Sequence, residues 1–156
     1  MQVKIIKQNG YNFLWIDNYL WMWDIPVERK VQEKIATEAY GDVLIAGYGL
    51  GLVQYYLTKN PKVKSITTLE KNEAVVREVH RVYKKIYGNI INKDFYKFKT
   101  KNKYDCVIGD IWEDIVEDSL NDYNRFLRKA KLLIKPKGKI LAWGKEFFDY
   151  LNTKSK

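Results

Sequence analysis

The stretch Asp42–Leu52, DVLIAGYGLGL, restricts the folds open to this chain more than any other. Val43, Leu44, Ile45 and Ala46 form a short apolar run of the kind buried in a parallel sheet. Gly47, Gly49 and Gly51 follow at alternate positions, and a helical pattern then opens with Leu52, Val53, Tyr56 and Leu57. Glycine turns the chain at positive φ and lets a ligand approach the main chain. A strand, a glycine turn and a helix N-terminus together make a nucleotide cradle. Glu70 closes the next apolar run, roughly 20 residues beyond the glycines, where an acid grips a ribose hydroxyl pair. Tight turns also use glycine; the strand, the helix and the spaced acid together favour the nucleoside reading.

The rest of the chain supplies alternating strands and helices. Val3, Ile5, Phe13–Ile16 and Tyr19–Trp23 alternate as strands around Asn9-Gly10, a hairpin signal, and read as a small antiparallel meander. Its tryptophans, Trp15, Trp21 and Trp23, are either core or an exposed aromatic face. Asp24 with Pro26 reads as a capped helix start, with Val27, Val31, Ile35 and Ala39 as the buried stripe and Gly41 as its stop. Strands are expected at 43–46, 63–69, 89–92, 104–109 and 139–143, the last after a turn at Pro136-Lys137-Gly138. Helices are expected to about Lys59, from Asn72 to Tyr87 with Gly88 as stop, over Leu120–Leu133 and over 145–151. This alternation implies right-handed crossovers and a parallel sheet. The expected fold is α/β: a Rossmann-like sheet of order 3-2-1-4-5 flanked by helices, in a single domain over 1–156. The meander occupies 1–25 and the core 26–156.

Composition limits the function classes. No apolar run is long enough to span a bilayer, and the first residues lack the apolar core of a signal peptide. A cytoplasmic location is the resulting expectation. Cys106, the one cysteine, sits in an apolar run and reads as core, and the one histidine, His80, has no partner at a metal-ligand spacing. No metal site is expected. The net charge of +9 attracts anions, nucleic acid included, but the lysines are scattered over helix faces and loops. A nucleic-acid role is therefore not favoured.

In an open α/β sheet, ligands bind beyond the carboxyl ends of the strands. Those ends carry the three glycines, Glu70-Lys71, Asp94-Phe95 and the segment Asp110–Asp114. Glu70, an acceptor-only carboxylate, suits the ribose; Asp94 suits an adenine amino group, with the Phe95 amide at a ring nitrogen. Asp110 and Glu113, with Asp114, flank Trp112, and such carboxylates can take a proton from an amine. Trp112 suits stacking on a base or a sulfonium cation. Placement in the first turn of the next helix explains Glu113 equally simply and is the favoured reading of Asp114.

The motifs VLIAGYGLG, TTLEKN, NKDF and YDCVIGDIWED, followed by LLIKPKGKIL, resemble in order those of class I S-adenosylmethionine-dependent methyltransferases. They are most similar to the spermidine synthase-like branch. The resemblance covers 42 to about 143 and extends, more weakly, to the meander and the helix after it. It implies that Gly47, Gly49 and Gly51 approach the methionine part of S-adenosylmethionine, or of its decarboxylated form. It also implies Glu70 at the ribose with Lys71 beside it as a cofactor-binding residue, Asp94 and Phe95 at the adenine, and Asp110 with Trp112 in the cleft, with Asp110 and Glu113 as the catalytic acids. Leu50 stands where aminopropyltransferases usually carry an acid, and Asp114 where they carry proline. The final strand pair of that branch is not expected. A small methyltransferase with an unidentified acceptor is thus the leading expectation, with aminopropyl transfer and a non-catalytic nucleoside-binding or scaffold module as alternatives. A homodimer is left open.

Overall fold

The computed structural model describes residues 1–154. A three-stranded antiparallel sheet, β1 (Val3–Gln8), β2 (Tyr11–Ile16) and β3 (Tyr19–Trp23), precedes the helix α1 (Pro26–Thr37). Then strands and helices alternate: β4 (Gly41–Ala46), α2 (Leu52–Leu57), β5 (Val63–Leu69), α3 (Glu73–Tyr83), β6 (Asn89–Ile91) and β7 (Tyr104–Gly109). α4 (Leu120–Leu133), β8 (Ile134–Ala142) and α5 (Lys145–Lys154) complete the described chain. The second sheet is parallel throughout and runs β6-β5-β4-β7-β8, so the glycine-loop strand β4 is central.

β4 explains why the sheet has two cores. Val43 and Ile45 join Ile35, Ala36, Val53 and Leu57 of α1 and α2 on one face. Leu44 and Ala46 point the other way, against Phe126 and Ala130 of α4 and Phe148 of α5. Val43, Leu44, Ile45 and Ala46 are all fully buried, as a strand covered on both faces requires. Each large one contributes about 1.5–3 kcal/mol of burial. A third cluster fastens the meander, with Ile5 and Leu14 packed against Tyr48, Leu52, Val75 and Val79.

Four local expectations need correction. Asp24 does not cap α1; the N-cap position is Ile25, without a side-chain bond. Its carboxylate instead accepts from the Asn12 amide at 2.6 Å, the Asn12 side chain at 2.8 Å and the Tyr83 hydroxyl at 2.7 Å. The stripe of α1 holds at Ile35 and Ala39 but not in its first half. Val27 (64% exposed) and Val31 (37%) face outward, while Gln32, Ile35 and Ala36 are buried. α3 ends at Lys84, itself in the left-handed region at φ 62°, before Gly88 is reached. Finally, Pro136 lies within β8 rather than in a turn before it; β8 is an edge strand, where a missing N–H is tolerated.

Asp24 welds the meander to α1 and α3, and the weld is pH-dependent. Burial by itself raises its pKa; the bonds from Tyr83 and Asn12 and the Arg29 charge outweigh this and hold it below the ordinary 3.8. A depressed carboxylate stabilises the fold above its unfolded pKa and loses that contribution as pH falls through the folded value. Asp24→Asn is accordingly expected to cost about 1–3 kcal/mol at pH 7. The gap from the wild type should narrow below about pH 4, measured as urea midpoints at the two pH values.

Candidate active site

Beyond the carboxyl ends of β4 and β7, under β3, lies a cavity of about 180 Å³. The glycine loop forms one wall. Gly47 (φ 92°) and Gly49 (φ 55°) both take conformations that side chains disfavour, and both line the cavity. A Cβ on Gly47 would stand 2.9 Å from Ile111 Cγ2, and one on Gly49 would stand 2.7 Å from Met22 Sδ. At Gly47 and Gly49 the loop therefore presents bare main chain to the cavity, where a side chain would be strained. Met22 Sδ also lies 3.4 Å from the Leu50 amide, a weak acceptor on an anion-seeking group.

Asp110 forms the opposite wall. It follows Gly109, whose missing side chain lets Phe126 of α4 pack onto the end of β7; a Cβ there would meet the ring at 2.5 Å. Asp110 is joined in the cavity by Glu113 and Asp114 of its own loop and by Glu28 of α1. Gln32 bridges two of these, its Nε2 donating to Glu28 Oε1 at 2.9 Å and to Asp110 Oδ2 at 3.1 Å. Desolvation and then the Glu28 charge push Asp110 up to about 7, against the Gln32 bond that lowers it. Burial likewise raises Glu28. Four carboxylates line the cavity and, among the described residues, no lysine, arginine or histidine does, in a chain of net charge +9. Tyr19, Trp21, Trp23, Trp112 and Trp143 supply aromatic wall.

The other expected residues take several positions. Glu70 lies outside the cavity lining and is buried, with Oε1 accepting from Tyr48 N and Oε2 from Asn72 N, each at 2.9 Å. A carboxylate has about four acceptor sites, so both oxygens retain capacity for a sugar hydroxyl. Lys71 is exposed beside it. Asp94 accepts from the Tyr96 amide at 2.9 Å and starts a 3-10 turn, Phe95–Lys97. The Phe95 ring is buried against Phe126, 5.5 Å between centroids. Gly51 starts α2 at φ 75°, its open side covered by Tyr48. Trp112 is 2% exposed, and its Nε1 donates to Trp143 O at 3.2 Å. It reaches the cavity from within the core.

Glu28 and Gln32 are the site residues that sequence patterning missed. Their four-residue spacing places them on one helix face, but nothing distinguishes that pair from a solvent-facing one. Gln54, at the start of α2, was also missed. It is fully buried and lines the cavity, and its Oε1 has no partner, while its Nε2 donates to Thr68 Oγ1 and Gly47 O. Among the described residues no group of three potential metal ligands converges.

The parallel sheet, its flanking helices and the glycine loop at the central strand make a Rossmann-like fold similar to that of solved S-adenosylmethionine-dependent methyltransferases. The particular solved structures it resembles include such a methyltransferase from Clostridium acetobutylicum ATCC 824, at TM-score 0.56 and 14% identity over 75% of this chain and 50% of that one. Another is the plantazolicin methyltransferase BpumL in complex with SAH, at TM-score 0.54 and 16% identity over 75% and 47%. The DhpI–SAH complex matches at TM-score 0.55 and 18% identity over 73% and 53%. The chain thus spans about half the length of these structures. No family model matches the chain, and none of the curated proteins does. Among the described residues no helix is long and apolar enough to cross a membrane.

Proposed function

We propose that this chain binds S-adenosylmethionine over the glycine loop and transfers its methyl group to a cationic amine held in the cavity. The observation that carries this reading is the segregation of charge: carboxylates and aromatic rings converge beside bare glycine main chain, with no cationic side chain of the described residues in the lining. Such a wall suits an ammonium or sulfonium ion. The donor set fits the cofactor as well. The Leu50 amide, with only a thioether against it, is available to a carboxylate, and the unpaired Gln54 Oε1 is available to an ammonium.

When bound, S-adenosylmethionine supplies a sulfonium-activated methyl group. The glycine loop would hold its methionine part, Glu70 with Lys71 its ribose, and Asp94 with Phe95 its adenine. Asp110 and Glu113 would orient the acceptor, and Asp110 would take its proton, being close to neutrality where a general base works best. Trp112 backs the cavity from the core. Positioning supplies most of the acceleration. The spermidine synthase-like form of the fold belongs to this proposal, supported by the meander before the core and the spacing of Asp110 and Glu113. So do a single functional unit and a cytoplasmic setting; a solution mass measurement decides between monomer and homodimer.

Calorimetry tests the reading. S-adenosylmethionine and S-adenosylhomocysteine are expected to bind the wild type, and more tightly than decarboxylated S-adenosylmethionine, which has no carboxylate for the Leu50 amide. Glu70→Ala should lower that affinity by about tenfold or more, the loss of roughly 1.4 kcal/mol or more. It should also cost about 1–3 kcal/mol of stability, since two amides lose their acceptor. Absence of binding heat for all three nucleosides would leave only the scaffold reading.

A further inference from the structure

Spacing along the sequence pairs Asp110 with Glu113, but the fold gives Asp110 a different partner. Gln32, 78 positions earlier, is 1% exposed, and one amide nitrogen with two hydrogens joins Asp110 to Glu28. Two carboxylates held on one donor, in a cavity lined by no cation among the described residues, cannot both be comfortably ionised. A shared proton or a bound ammonium relieves them. The other titratable groups around the cavity are Glu113 and Asp114 on the Asp110 loop, Tyr19 on β3 and Tyr48 on the glycine loop. Arg29, next to Glu28 in sequence, is turned away to Asp24, at 3.3 Å.

We propose that Glu28 and Asp110, joined through the Gln32 amide, work as one proton-accepting unit, with Gln32 as its positioning residue. The proposal rests on the methyl-transfer reading and adds the proton's destination. An acceptor arriving as an ammonium gives one proton to the unit, which passes from doubly to singly ionised. The freed nitrogen lone pair forms the N–C bond while the methyl–sulfur bond breaks, its electron pair remaining on sulfur as a neutral thioether. The product leaves as a methylammonium, and the unit returns its proton to water. Asp110 and Glu28 are both raised by burial, and Asp110 further by the Glu28 charge, which places the exchange near neutral pH.

The test is a carbon-detected NMR titration of side-chain carboxyls in the full ligand-free chain. Glu28→Gln removes a charge at constant shape and is expected to move the Asp110 midpoint to lower pH by about one unit or more, the coupling at which two sites titrate as a pair. Gln32→Leu removes a donor to the ionised form and should move the same midpoint upward. Shifts of opposite sign support the unit, because a merely structural change would not order them. An Asp110 midpoint unmoved in Glu28→Gln overturns it, and that variant decides alone if Gln32→Leu does not fold. Failure of the methyl-transfer reading is separate: it appears as missing nucleoside binding in the wild type with the titration intact.

Discussion

Asp110→Asn is expected to lower methyl transfer by about 10²–10⁴-fold, the usual contribution of a positioned general base. Nucleoside affinity should change only a few-fold, because Asp110 faces the acceptor side of the cavity with Glu28 and Gln32. Wild-type turnover should rise as pH passes through about 7, where the Asp110 carboxyl becomes ionised and able to accept a proton. The variant should lose that inflection. Transfer of label from S-adenosylmethionine to a panel of small amines, followed against pH, measures both effects. Equal losses in turnover and nucleoside affinity would place Asp110 at the cofactor and not at the acceptor.

Trp112→Ala should be the most destabilising change in the site, at about 3–5 kcal/mol. Trp112 meets Tyr123, Phe126 and Phe148 edge-on at 5.6–5.7 Å, and Tyr123 stacks on Phe148 at 4.8 Å. Removing the indole opens a void between α4, α5 and the cavity wall and frees the Trp143 carbonyl from its donor. For a chain of this size the loss corresponds to a melting temperature lower by roughly 6–20 °C. Trp112→Phe should cost distinctly less. An exposed stacking platform would behave in the reverse way, with stability unchanged and ligand affinity lost, so thermal melts and calorimetry on the same variants separate the two roles.

How much could be read from the sequence follows from what each signal encodes. The run Val43–Ala46 is apolar because β4 is covered on both faces, and the glycines after it are required by a main chain at positive φ. Both are local consequences and both are legible. The stripe of α1 is not. Val27 and Val31 look like core at helical spacing, yet Glu28 and Gln32 take the inward positions because the cavity offers them polar partners. Asp24 misleads for the same reason: a carboxylate before a proline has the form of a cap, and only the approach of Asn12 and Tyr83 gives it another use. The tryptophans of the meander divide between the two readings open to them. Trp21 and Trp23 border the cavity, and Trp23, 38% exposed, also meets Phe13 edge-on on the sheet surface.

Charge shows the limit of composition most plainly. A net charge of +9 would count against an acidic groove for a cationic acceptor, but composition averages over the surface and does not locate charge. The fold sorts it: no lysine of the described residues lines the cavity, while Glu28, Asp110, Glu113 and Asp114 meet there. No reading of the totals could have located that.

A crystal structure with S-adenosylhomocysteine bound is the most direct measurement. It should place the homocysteine sulfur at Gly47–Gly49 facing the Asp110 cavity, the ribose hydroxyls on Glu70, and the ligand carboxylate at the Leu50 amide in place of the Met22 thioether. Met22 still seated on that amide, with the nucleoside elsewhere or absent, would contradict a cofactor site in this crevice.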